Sequence, residues 1–148
     1  MTEHRKSHYR KIGCATRGGD ASRSTEDKAI ALAREHSAEL VFLYIVDTSF
    51  AGGLTGKFDI DMVAHELGKI GEIVLEQAKA RAKEKGVIAQ DELRTGAVAD
   101  EIRSFVDGHE DLDMLVVGHM SVELHRHLDP VLQEMAEHHV DVLVVRPD

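Results

Sequence analysis

The sequence predicts an α/β protein built on an open, doubly wound, five-stranded parallel sheet with helices on both faces. Three observations carry this. Leu40-Val-Phe-Leu-Tyr-Ile-Val46 is continuously apolar and rich in β-branched and aromatic residues, which is how a strand buried on both faces reads. Such runs alternate with segments of helical periodicity along the whole chain, the order expected of right-handed β-α-β crossovers. Glycine follows two of the buried runs closely, in Arg10–Asp20 and in Asp113–His119. In an open parallel sheet such strand ends gather at one edge and form the ligand crevice.

Each element has its own justification. Lys11–Thr16 reads as the first strand, broken by Gly18 and Gly19. Ser24-Thr-Glu-Asp27 has the form of a capping box, so a helix is expected from Ser24 to about His36, with Ala29, Leu32, Ala33 and His36 on one stripe. Leu40–Val46 is the second strand, and Asp47–Phe58, with three glycines, the loop after it. A long helix is expected from Asp59 or Asp61, with Val63, Leu67, Ile70, Val74, Ala78 and Ala82 facing inward. Lys83 and Lys85 in its last turn and Gly86 beyond it suit a helix C-terminus. Val87–Leu93 is more polar and is placed at a sheet edge. A third helix spans about Val98–Val106, and Leu112–Val117 is another buried strand. A loop over Gly118–Asp129 leads to a short helix, about Pro130–His138, with Pro130 in its first turn. Val140–Val145 is the last strand.

Composition bounds the function. The chain has 148 residues, enough for one domain with a real core; we read residues 11–148 as that domain and 1–10, polar and basic, as a flexible start. With 27 acidic against 18 basic residues the net charge is −9. That disfavours sequence-independent binding of nucleic acid, which works by neutralising phosphates, and docking on anionic lipid. No apolar run reaches the length of a membrane span, and no signal-peptide core begins the chain. Cys14 is the only cysteine, so no internal disulfide exists, and a cytoplasmic location is expected.

The chain resembles the UspA-like universal stress protein family. The resemblance rests on Lys11-Ile12, on Ala38–Asp47, on Asp113-Met-Leu-Val-Val-Gly118 and on Asp141-Val-Leu-Val-Val-Arg-Pro147, and covers nearly the whole chain. It implies a Rossmann-like sheet of order 3-2-1-4-5 and a homodimer joined along the last strand. It also implies one of two branches. The ATP-binding branch carries Gly-x-x-Gly, nine residues, then Gly-Ser or Gly-Thr, and an Asp after the first strand. Here Gly118 opens the motif, but Ser121 replaces the second glycine, Val131-Leu132 stand at its end, and Arg17 stands after the first strand. The resemblance is closer to the branch that does not bind ATP.

Ligand-binding candidates follow from the two strand ends: Thr16, Arg17, Gly18 and Gly19 after the first, Val46 and Asp47 after the second, and Gly118, His119, Met120 and Ser121 after the fourth. Arg17, the amides of Gly18 and Gly19 and a helix N-terminus can form an anion nest. Arg17–Ser22 also resembles, in part, the phosphate loop of PP-loop pyrophosphatases. No Ser-His-Asp order, nucleophile elbow or paired-carboxylate spacing is present. The pairs His125/His127 and Glu134/His138 lack the spacing of a zinc site and read as solvated surface. The expectation is a non-catalytic stress-response protein without a required cofactor, sensing at most a small anionic or nucleotide ligand; ATP or another adenine nucleotide is allowed but not favoured as a cofactor. It would work as a homodimer through Val140–Arg146, with an unidentified protein partner. The alternative is an enzyme of the same superfold, a weak ATP hydrolase or adenylyl transferase using the Arg17–Ser22 turn.

Overall fold

A computed structural model of the chain describes residues 8–48, 60–119 and 122–146. Nine elements alternate strictly: β1 (Lys11–Ala15), α1 (Gly19–His36), β2 (Glu39–Asp47), α2 (Ile60–Glu84), β3 (Ala89–Gly96), α3 (Val98–Gly108), β4 (Met114–Gly118), α4 (Val122–Glu137) and β5 (Asp141–Val145). The five strands form one parallel sheet in the order β3-β2-β1-β4-β5. The central strands are sealed on both sides, and the sheet separates two cores. One face packs Ile12, Cys14, Leu40, Phe42, Met114 and Val116 under α1 and α2, with Ala29, Ala33, Leu75 and Ala78 above them. The other packs Val41, Leu43, Leu115 and Val117 under α3 and α4, with Ile102, Phe105, Val131 and Met135. Successive residues of a strand point to opposite faces, which is why the strands read as unbroken apolar runs.

Several expectations need correcting. Helix α1 begins at Gly19, not Ser24. Gly18 and Gly19 both take φ near +75°, a region open to glycine at no steric cost. They therefore turn the chain directly into the helix, and Ser24 lies within it. Helix α4 begins at Val122, eight residues before the expected start at Pro130, so Pro130 sits inside the helix. Proline costs an interior bond there, but α4 is held from its neighbour by the two-pronged Arg103–Glu134 pair from α3, at 3.0 and 3.1 Å. The expected loop over Gly118–Asp129 shrinks accordingly. Strand β3 lies two to three residues later than Val87–Leu93, because its ladder with β2 runs on to Thr95 and Gly96. It does occupy a sheet edge. Ile70, expected inward on α2, is about half exposed.

The expected flexible start also ends sooner. Tyr9 is fully buried, and its hydroxyl donates to Asp141 at 2.6 Å. The Arg10 and Lys11 amides donate to the Asp113 carboxylate at 2.9 and 3.2 Å. These bonds tie the chain start to β4 and β5 at the amino edge of the sheet, opposite the candidate site. Most of the expected Asp47–Phe58 loop lies outside the described residues.

Candidate functional site

The sheet order places β1 between β2, reached by one crossover, and β4, reached by the other. At that reversal the connections leave in opposite directions and cannot cover the strand ends, so a crevice opens there. It holds a cleft of about 480 Å³. Ala15, Leu43, Ile45, Val98, Ile102, Val117 and Leu128 give it an apolar lining, and Thr16, Arg17, Ser22, Asp47 and His119 supply the polar groups. A mostly apolar cleft with a few placed polar groups is the usual form of a small-ligand site. A second hollow, about 640 Å³, lies on the outer side of α1 between Asp27, Arg34, Glu35 and Lys85. It presents opposed charges on a helix surface, and no strand end lines it.

Of the residues expected from sequence, Thr16, Arg17, Gly18, Asp47, Gly118 and His119 line the cleft together. Gly19 stands beside it as the exposed first residue of α1. Val46 is buried but does not line the cleft: Leu43, Ile45 and Asp47 face the cleft, and strand alternation turns Val46 to the other side. Met120 and Ser121 lie outside the described residues. His119 is exposed at the rim, and its amide donates to the Val145 carbonyl at 2.8 Å, extending the β4–β5 ladder by one bond.

The turn after β1 is organised by its own side chains. The Arg17 amide donates to Ser22 Oγ at 3.1 Å, and the Gly18 amide donates to Thr16 Oγ1 at 3.2 Å. Of the two amides expected in the anion nest, that of Gly18 is thus already committed. The Arg17 guanidinium is a further donor. It is exposed, and among the described residues it has no hydrogen-bond or ion-pair partner. Beneath it, the Thr16 hydroxyl donates to Glu26 Oε2 at 2.5 Å. Glu26 is only 4% exposed and forms an ion pair with Arg81 of α2, which also reaches Asp27 and the Arg23 carbonyl.

Sequence reasoning missed Glu26 and the α3 residues Val98 and Ile102. Glu26 left a legible signal: it lies three and seven residues before Ala29 and Ala33, an acid on the apolar stripe. The α3 contribution left none, because it depends on how a helix crosses the sheet. Cys14 lies fully buried behind this region. Burial pushes its thiol far above the ordinary range, and the Glu26 carboxylate adds to the shift; it is not an available nucleophile. Among the described residues no cluster of three or more His, Cys, Asp or Glu could hold a metal, and no helix is long and apolar enough to cross a membrane.

Comparison with known proteins agrees with this geometry. Residues 8–146 match the model of the universal stress protein family. The chain is 33% identical over 110 residues to the universal stress protein MJ0531 of Methanocaldococcus jannaschii; the match covers 74% of this chain and 64% of that protein, so less than two thirds of the relative. The crystal structure of a universal stress family protein from Burkholderia pseudomallei superposes with a TM-score of 0.75 at 23% identity, covering 95% of this chain and 98% of that one. A universal stress protein solved in complex with cAMP superposes at 0.66 with 25% identity, covering 94% and 98%. With the parallel sheet, its strand order and a match over residues 8–146, the chain belongs to the universal stress protein family.

Proposed function

We propose that the protein is a non-catalytic stress-response module whose cleft senses a small anionic ligand, an adenine mononucleotide or a smaller phosphate among them. The observation that carries this is the Arg17 guanidinium, without a partner among the described residues, beside a largely apolar cleft of about 480 Å³ in a chain of net charge −9. A cation at the mouth of a largely apolar cleft favours a ligand with one charged end and one flat apolar face. The cAMP complex of a relative at 25% identity supports a ligand of this class.

Several features speak against ATP and against catalysis. Where the ATP-binding motif would close with Gly-Ser or Gly-Thr, Val131 on the inner face of α4 is buried in the core. The Arg17 and Gly18 amides are bonded inward and are not offered to a polyphosphate. The one lining hydroxyl bonded to a carboxylate, that of Thr16, is itself buried. Both oxygens of its partner Glu26 are already engaged, one by Arg81 and one by Thr16. The module acts as a homodimer through Val140–Arg146, and a protein partner reads its state.

Titration of the purified protein tests the proposal. Phosphate, AMP or cAMP should raise the melting temperature, because a ligand that binds only the folded state stabilises it by mass action. Arg17→Ala should abolish that gain. Magnesium-ATP should bind more weakly than about 1 µM, which corresponds to roughly −8 kcal/mol. A wild type that gains nothing from any of these anions, or one that steadily releases ADP from ATP, would overturn the proposal.

A further inference from the structure

Glu26 is an ionisable group in a place where one is costly. It is 4% exposed, it stands on the stripe of α1 that packs on the sheet, and each of its oxygens has a dedicated partner. Oε1 receives Arg81 from α2, and Oε2 receives the Thr16 hydroxyl from the end of β1. An ionised carboxylate can only accept. The Thr16 hydroxyl therefore points its hydrogen at Glu26, and its oxygen is left to accept. It accepts the Gly18 amide at 3.2 Å. One chain of bonds thus runs from α2 through α1 to the turn that carries Arg17: Arg81 to Glu26, Thr16 to Glu26, and Gly18 to Thr16.

A second contact joins the same parts. A Cβ at Gly18 would stand 2.7 Å from Cγ2 of Val74 on α2, so the turn rests directly on that helix, in a backbone conformation with φ +76° that needs glycine. Arg81 fans out further, to Asp27 and the Arg23 carbonyl, which keeps its guanidinium aimed at Glu26. The turn is thereby held from below by a charged, buried network and from the side by Val74. Buried networks of this kind fix geometry when every member is satisfied.

We propose that Glu26 is a positioning residue for the ligand cleft, setting the Thr16–Gly19 turn, and with it Arg17, through the Thr16 hydroxyl. This rests on the cleft being the ligand site, but the bond chain itself can be read without a ligand. In the ligand-free protein, amide exchange followed by NMR should show Gly18 protected in the wild type. Glu26→Ala and Thr16→Val should each release it. Val87→Ala, which truncates a buried side chain away from the cleft, should lower stability and leave Gly18 protected relative to its neighbours. With AMP as probe, Glu26→Ala and Thr16→Val should each weaken binding by about tenfold. The double variant should weaken it no further than the worse single one, since residues acting through one chain are non-additive. Glu26→Gln, which still offers Arg81 an oxygen, should recover most of the affinity lost in Glu26→Ala.

The outcomes separate the two readings. If wild type does not bind AMP while Gly18 behaves as expected, the proposed ligand class fails and the positioning of the turn by Glu26 stands. If Gly18 exchange is unchanged in Glu26→Ala, or the Glu26 and Thr16 effects on AMP binding add, Glu26 does not act through Thr16 and the inference is overturned.

Discussion

Thr25 is 1% exposed and lies on α1 against the end of β4, where a Cβ at Gly118 would meet its Oγ1 at 2.8 Å. Among the described residues it has the one buried side-chain oxygen or nitrogen without a hydrogen-bond partner. Leaving such a group unpaired costs about 1–3 kcal/mol. Replacing it with the isosteric valine removes the unpaired hydroxyl and keeps the packing. Thr25→Val should therefore raise the unfolding free energy by about 1 kcal/mol in urea denaturation; a loss of stability would show that the hydroxyl is satisfied in solution. Its neighbour Glu26 is the contrasting case: equally buried, but fully paired, so its truncation should destabilise.

At the scale of elements, α2 and β3 show how close packing and charge divide the work. Helix α2 crosses the sheet over two glycines in different surroundings. A Cβ at Gly71 would stand 2.6 Å from Tyr44 and 2.8 Å from Leu93, whereas one at Gly68 would meet nothing nearer than Leu93 at 3.7 Å. Gly71→Ala should lift the helix and cost about 1–3 kcal/mol. Gly68→Ala should instead stabilise by up to about 1 kcal/mol through helix propensity. Equal effects from the two, measured by denaturant unfolding, would refute the tight crossing. Edge strand β3 is guarded by charge. Glu92 accepts from His109 at 2.9 Å and from Arg94 at 2.7 Å. Burial alone would raise its carboxyl, but those two bonds and their charges outweigh it and hold the group below the ordinary carboxylate range. A depressed carboxylate contributes stability that is complete above its unfolded value and is lost as pH falls through the folded one. The stability difference between wild type and Glu92→Gln should thus be constant above about pH 5 and shrink in stronger acid, in melts recorded across pH. A difference that grows in acid would contradict the pairing.

For the whole molecule, the open question is its other edge. Strand β5 borders the sheet opposite β3, and its residues Leu143, Val144 and Val145 are only half-buried. An apolar edge strand is a template for further pairing. Two-fold, antiparallel pairing with a second copy satisfies both sets of backbone groups at once, and we propose a homodimer built on Val140–Arg146. Val144→Pro should yield monomer or aggregate in sedimentation, since proline cannot donate to a ladder. A wild type that sediments as a monomer at micromolar concentration would rule the dimer out. The contact of Tyr9 with Asp141 at the start of β5 braces that strand within its own subunit.

By itself the sequence determined the α/β alternation, the two faces of the core and the edge of the sheet where Thr16, Arg17, Asp47, Gly118 and His119 meet. Those follow from hydrophobic period and from glycine after buried strands, which are local properties of the chain. Tertiary structure decided the rest. That α1 starts at Gly19 depends on a turn stapled by Ser22 and resting on Val74. That α4 runs through Pro130 accompanies its pairing with Arg103. That Val46 faces away while Val98 and Ile102 enter the cleft depends on strand pleat and helix crossing. The role of Glu26 needed Arg81, 55 residues away along the chain, because a buried charge is explained only by the partner that folding brings to it.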